Sequence, residues 1–395
     1  MSRMQCATIR GMKPIATDNY DFERLITDGY AYVDKTDMLW KLANGRNGAL
    51  FFISRPRRFG KSLMLSTFKY LFQGKRKLFK GLKIEKKWNW SQTYPVIELN
   101  MSDFDKEGTR EGFVRSLTTT LQERLEKEEI TYKKSDAPGM LFDRLIKGLA
   151  AANEGDQKVV VLIDEYDHPL GGLLDDRKAL RTMRREMHGF YSTLKNNVGI
   201  IRFLMMTGVS KFTKLSVFSG LNNLTDLTMD DPGYAALLGY TVKEIETVLA
   251  PQLKAFARKR RISPEKAIDE LCAWYDSYRF SPYSNVKVLN PVSVGQALST
   301  GKLANYLDKA DLAVLIRRLK EEINMPEKLG DFPATLDALE LFDTDYLQWR
   351  ALLVQNGCLT IKKVKWVEDE YGRRVSEVVL GVPNCEMRDA LDSVM

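Results

Sequence analysis

Gly60, Lys61 and Ser62 stand together at the end of a basic stretch, Arg55-Pro56-Arg57-Arg58-Phe59, and far downstream Asp164 and Glu165 stand side by side. These residue types suit phosphoryl chemistry. A glycine turn opening a helix offers backbone N–H groups to a polyphosphate. Lys61 would reach the β- and γ-phosphates, and the Ser62 hydroxyl would ligate Mg²⁺. Asp164 would be the carboxylate on the Mg²⁺ side, acting through water. Glu165 would be the base that orients and polarises an attacking water. The backbone of Arg57, Arg58, Phe59, Gly60, Lys61, Ser62 and Leu63 would wrap the phosphates.

The elements around these residues are those the chemistry requires. Residues 49–53 are a short apolar run of the kind buried on both faces of a sheet, and Leu63, Leu65, Phe68, Leu71 and Phe72 then recur at helical spacing. Strand, loop and helix are the context a phosphate loop needs. The tripeptide by itself means little, since it arises by chance about 0.2 times in a chain of this length. The usual spacing also asks for Gly where this chain has Arg55. Glycine turns there without a Cβ penalty, whereas Arg55 before Pro56 is pushed toward an extended conformation, so a wider loop is expected. A basic surface loop is the plain alternative.

The second motif argues against coincidence. Val159-Val160-Val161-Leu162-Ile163 reads as a buried parallel strand with Asp164 and Glu165 at its C-terminal end, the edge where open α/β sheets bind ligands. Between the motifs lie a strand at 94–100 and helices at 113–125 and 140–149. After them come a helix at 180–195 and a strand at 199–206 that ends on Thr207, a polar side chain placed to sense the γ-phosphate and hold the water. The expected fold class is α/β. Its core would be a P-loop NTPase with a parallel sheet, of the branch that has an additional strand and a catalytic Glu. A mainly helical lid with a winged-helix-like end would follow.

The same residues carry a family resemblance. Tyr32-Val33-Asp34-Lys35-Thr36, the loop from Ser54 to Ser62, Leu162-Ile163-Asp164-Glu165-Tyr166-Asp167 and Thr207-Gly208-Val209-Ser210-Lys211-Phe212 resemble the bacterial AAA-ATPase-like proteins. So do the run at 218–224, the segment at 275–280 and Asn290-Pro291, and the likeness covers about residues 12–390. In that family Arg-Pro-Arg-Arg-Phe-Gly-Lys-Ser is the usual loop, which makes Arg55 a variant rather than a lesion. The resemblance implies an ATPase switch or motor using ATP and Mg²⁺. Many relatives also carry a restriction-endonuclease-like domain after the region matching residues 380–384. The segment is absent from these 395 residues, so a nuclease partner or a missing C-terminal nuclease domain is implied.

Composition bounds the rest. An apolar fraction of 44% is ample for buried cores, and no run approaches the ~18 apolar residues of a membrane helix. No secretory h-region opens the chain. Cys6, Cys272, Cys358 and Cys385 are scattered, and His168 and His188 are the only histidines, which argues against zinc and for reduced thiols in a cytoplasmic protein. The net charge of +8 permits nucleic-acid contact, with basic clusters at 75–77, 258–261 and 362–365 and the Trp88/Trp90 pair beside Lys86 and Lys87. Solvated faces and packing tryptophans explain the same residues.

The expected organisation is a lead-in segment over residues 1–33, a nucleotide-binding core over 34–235, a helical lid over 236–345 and a C-terminal helix and hairpin over 346–395. Helices are expected at 241–253, at 264–275 and on to about 342, with a last one at 346–355. A short strand is expected at 286–289, and two more around a turn at 370–372. Arg58 is a candidate catalytic arginine, and like Arg57 it either faces the phosphates or points away. Arg181, Arg184 and Arg185 are candidates for a finger given in trans in a homo-oligomer, with a solvated helix face as the alternative, and Arg279 for phosphate sensing.

Overall fold

A computed structural model describes residues 12–45, 49–104, 106–171, 173, 176–211, 224–323, 329–340, 349–368, 372 and 374–395. Phe212, residues 218–223, residues 346–348 and the turn residues Glu370 and Tyr371 lie outside the described residues.

A five-stranded parallel sheet positions the site. Its strands are β1 (Ala49–Ser54), β2 (Val96–Asn100), β3 (Val159–Asp164), β4 (Ile201–Gly208) and β5 (Leu224–Asp226), in the spatial order β2-β3-β4-β1-β5. β4 thus lies between the strand that leads into the loop and the strand that ends in the acids. Every residue of β3 is buried. Its side chains alternate between two cores: Val159, Val161 and Ile163 enter one, Val160 and Leu162 the other. That alternation is why a continuous apolar run makes a strand here rather than a helix.

Helices cover both faces. On one side are α1 (Phe22–Thr27), α2 (Thr36–Ala43) and α3 (Lys61–Phe72), with Phe68 and Phe72 of α3 tilted against Phe203 of β4 at 4.7 and 5.0 Å. On the other are α4 (Arg110–Lys127), α5 (Pro138–Ala152), the short α6 (His168–Gly171) and α7 (Arg177–Asn196), where Phe142 and Phe190 stack at 4.6 Å. Asp176 caps α7 by accepting the N–H groups of Lys178 and Ala179 at 2.9 Å.

A third core is helical. The expected helix at 241–253 is two helices, α8 (Val242–Thr247) and α9 (Ala250–Arg260). Pro251 has no N–H to bond back to residue 247 and its ring crowds that carbonyl, so the first helix ends and the proline starts the second. Thr241 and Glu244 cap α8 reciprocally in a capping box. α10 (Pro264–Tyr275) and α11 (Pro291–Thr300) complete the cluster around Phe256, Leu271 and Val294. The expected strand at 286–289 is not a strand: Val288 and Leu289 make single bridges to Tyr278 and Tyr240, because each finds only one partner residue.

The C-terminal part starts at α12 (Lys309–Ile323). The helices expected to run to 342 are interrupted by β6 (Phe332–Thr335), followed by α13 (Asp337–Glu340). Next come α14 (Trp349–Gln355), β7 (Thr360–Glu368), β8 (Arg374–Gly381) and α15 (Cys385–Asp392). β7 and β8 form the expected antiparallel hairpin, and β6 adds to the other side of β8, giving the order β6-β8-β7. A half-buried strand of four residues containing Pro333 has no period to reveal it.

Candidate functional site

The ends of β3, β4 and β1 bring the chemistry together. Ser54 pairs with Gly208 across β1 and β4, and the Arg55 N–H continues the ladder to the Gly208 carbonyl at 3.1 Å. The loop from Arg55 to Gly60 then returns the chain to α3. Gly60 is the N-cap at φ 91°, a left-handed conformation that favours glycine, and no side chain caps the helix. The first N–H groups of a three-turn helix are therefore turned toward the loop without an intrahelical acceptor.

Lys61 is buried, and its ammonium donates to the carbonyls of Arg55 at 2.9 Å and Pro56 at 3.0 Å. Burial lowers its pKa, and the nearby charges of Asp164, Asp167 and Glu165 oppose that fall. Ser62 and Leu63 follow in the first turn, both half-buried. On β3, Asp164 is buried and one carboxylate oxygen is shared. It accepts the Glu165 N–H at 3.0 Å and the hydroxyl of Thr207. Thr207, fully buried at the end of β4, is thus aimed at Asp164 across the strand pair. Glu165 sits at φ 50°, unusual for a residue with a side chain. Its half-exposed carboxylate lies 3.5 Å from His168 Nδ1 at the start of α6.

Asp167 has a place here that the sequence reading missed. It accepts the N–H groups of Val209 at 3.2 Å and Ser210 at 2.6 Å, tying the acid motif to the turn after β4. Burial raises its pKa against the pull of those N–H groups and of Lys61. The crossing needs Gly208, where a Cβ would stand 2.5 Å from the Asp167 carboxylate and 2.6 Å from the Tyr166 ring. Tyr166 spans the same junction, donating from its hydroxyl to the Ser210 carbonyl at 2.7 Å. The signal in the sequence was the acid two residues beyond Glu165.

The arginines of the loop divide. Arg55 is 1% exposed and turns away from α3, donating to the carbonyls of Ser54 at 2.9 Å and Thr228 at 2.7 Å and lying 4.3 Å over the Phe280 ring. Burial pushes its guanidinium down to about 9, with Asp226 opposing. Arg57 is exposed. Arg58 donates to the Tyr306 carbonyl. Phe59 is buried edge-on against Tyr278 at 4.9 Å. The bond from Arg58 ties it to a carbonyl 248 residues further along the chain.

Other candidate residues make contacts of their own. Arg279 binds carbonyls of its own loop, Ser281 at 3.1 Å and Ser284 at 2.7 Å. Trp88 and Trp90 are half-buried and pack on Phe72 and Phe79 at 5.4 and 5.1 Å. Arg185 borders a cleft of about 930 Å³ between α4, α5 and α7 that shares no residue with the loop or Asp164. The chemistry of the strand ends, not the size of that cleft, marks the site.

The donor set fits a nucleotide phosphate with Mg²⁺. A helix N-terminus and a buried ammonium suit the anion, while one hydroxyl and one carboxylate suit a magnesium ion that keeps phosphates and waters as its remaining ligands. No group of three or more His, Cys, Asp or Glu side chains able to hold a metal occurs among the described residues. No described helix is long and apolar enough to cross a membrane.

Fold and site together define a class, a mixed α/β protein with an AAA-ATPase-like core. The family model described as Predicted AAA-ATPase matches residues 14–218, and the chain belongs to that family. It is also 33% identical over 371 residues to an uncharacterized protein in the vnfD 5′ region of Azotobacter chroococcum mcd 1, covering 93% of this chain and 67% of that protein.

Proposed function

We propose that the protein binds and hydrolyses ATP with Mg²⁺ and uses the cycle as a switch or motor. One observation carries the reading: Lys61 at the start of α3, just after the loop that follows β1, and Asp164-Glu165 at the end of β3 lie at the same sheet edge, with Thr207 of β4 between them. The intervening strand supports the reading of a P-loop core of the branch with an additional strand and a catalytic Glu. Lys61 and the α3 N-terminus hold the β- and γ-phosphates, as backbone N–H groups from Arg57 to Leu63 wrap them. Ser62 and Asp164 would hold the metal ion, whose charge would offset that of the phosphates. Glu165 orients water for in-line attack, and Thr207 fixes Asp164. Catalysis is then mostly positioning and charge stabilisation.

The region over 236–345 acts as a lid in this reading, and the output is control of a nuclease or another nucleic-acid process in the cytoplasm. A nonhydrolytic nucleotide-gated scaffold is the rival; Glu165 at the strand end favours hydrolysis, since binding alone does not need it. The test is Mg²⁺-ATP turnover by the purified chain, with and without DNA, against Glu165→Gln. We expect the variant to keep ATP affinity and lose turnover by about 100-fold or more. Equal rates in parent and variant would refute the assignment.

A further inference from the structure

The loop that leads into α3 is fastened along its length to the C-terminal third of the chain. Arg55 lies over Phe280, Phe59 packs on Tyr278, and Arg58 donates to the Tyr306 carbonyl. Pro56 meets the turn at Gly357 so closely that a Cβ there would come within 2.9 Å of its ring. These anchor points are themselves joined. Tyr306 N–H donates to the Glu386 carboxylate at 2.8 Å, Asn384 of the same turn donates to the Asp276 carbonyl at 2.9 Å, and Arg279 N–H donates to Thr360 at 2.8 Å. Glu386 is fully buried and faces the Arg58 charge, with Asp389 also nearby. The phosphate loop thus rests on one connected body made of residues 276–280, 306, 357–360 and 384–386.

The fastening coincides with backbone strain. Arg58 stands at φ 67°, a left-handed conformation that a residue with a side chain adopts at a cost, two positions before the glycine N-cap. What offsets the cost is the Arg58 bond to Tyr306 and the burial of Phe59, both supplied by the C-terminal body. Strain that persists at a loop must be overdetermined by its surroundings. Here the surroundings are remote in sequence and are not part of the sheet.

We propose that the C-terminal body holds the Arg58–Gly60 turn in the shape that presents the α3 N-terminus, so that its docking and nucleotide binding are thermodynamically linked through Arg58 and Phe59. The inference rests on the functional reading above. Linkage is reciprocal: nucleotide tightens the C-terminal body on the core, and a partner that pulls on that body weakens the hold on nucleotide by the same factor. The phosphate loop becomes the place where an output module reads the nucleotide state.

The experiment pairs calorimetry with amide exchange on the full chain. ADP with Mg²⁺ is titrated into the parent, Tyr278→Leu and Glu386→Gln. Exchange at residues 304–307 and 384–392 is followed with and without ADP. We expect roughly fivefold or greater loss of affinity in Tyr278→Leu, a smaller loss in Glu386→Gln, and slower exchange in both segments of the parent when ADP is bound. A purely structural role would lower the melting temperature and leave affinity and exchange unlinked. If the parent binds ADP but exchange at both segments is unchanged and Glu386→Gln binds as the parent does, the coupling is wrong and the functional reading stands. If the parent binds neither ADP nor ATP, the functional reading fails and this inference fails with it. Should Tyr278→Leu not fold, Glu386→Gln and the exchange data decide.

Discussion

Replacing Arg55 with glycine would restore the usual phosphate-loop spacing, and the structure says the restoration should harm the protein. Arg55 does not face α3. Its guanidinium is 1% exposed, hydrogen-bonded to the Ser54 and Thr228 carbonyls and stacked over Phe280. Two opposing electrostatic effects nearly balance. Its donors and the ring contact are worth roughly 4–7 kcal/mol together, while the fall of its pKa to about 9 corresponds to about 5 kcal/mol of desolvation. Space decides the sign. Glycine would leave a void the length of an arginine between β5 and Phe280, at a cost of about 2–5 kcal/mol, and would add backbone freedom worth about 0.5–1 kcal/mol. The expected result is a loss of about 3–5 kcal/mol for Arg55→Gly, read as a lower urea midpoint at unchanged slope. Arg55→Met fills the space without the charge and should lose only about 1–2 kcal/mol, mainly for the orphaned Thr228 carbonyl. Neither variant should bind nucleotide more tightly. An Arg55→Gly protein as stable as the parent, or one with higher ATP affinity, would refute this account and make Arg55 an obstruction.

Three further outcomes are expected. Lys61→Ala should weaken ATP binding by at least about 100-fold in calorimetry, since a buried cation facing the β- and γ-phosphates is lost; parental affinity would remove Lys61 from the site. Thr207→Val keeps the shape but takes the hydroxyl from Asp164, so stability should fall by about 1–3 kcal/mol and turnover should fall more than ATP affinity; unchanged turnover would leave Thr207 a core residue. Burial pushes the Glu386 carboxyl up to about 7, with the Tyr306 N–H and Arg58 opposing. Between its ordinary value near 4.5 and 7 the folded protein keeps a proton that the unfolded chain releases. Its contribution to stability is therefore full below that window and lost as pH rises through 7, by up to about 3 kcal/mol. Urea midpoints from pH 5 to 8 should show this fall in the parent and a flatter profile in Glu386→Gln; identical profiles would contradict it.

How much of this was legible differs by element. Buried parallel strands announce themselves as unbroken apolar runs, which is why β1, β3 and β4 were placed within two residues of their observed starts. β5 is three residues, none of them buried, and β6 is four with a proline, and neither length carries a period. The break between α8 and α9 was readable at Pro251 and was missed because the apolar spacing continues across it. Asp167 stood inside a recognised motif, but its role depends on Val209 and Ser210 at the end of a different strand.

By itself the sequence determined the chemical inventory and the local frames. Gly60-Lys61-Ser62 opens a helix and Asp164-Glu165 closes a strand, because period, caps and turn chemistry act over a few residues. Only the tertiary structure decided which groups meet. It put β4 between β1 and β3 and so brought Thr207 to Asp164. It also tied Arg55 and Arg58 to acceptors, the Thr228 and Tyr306 carbonyls, that lie 173 and 248 residues further along the chain. A side chain's direction is set by the nearest acceptor and the nearest empty volume, and both belong to the packed whole.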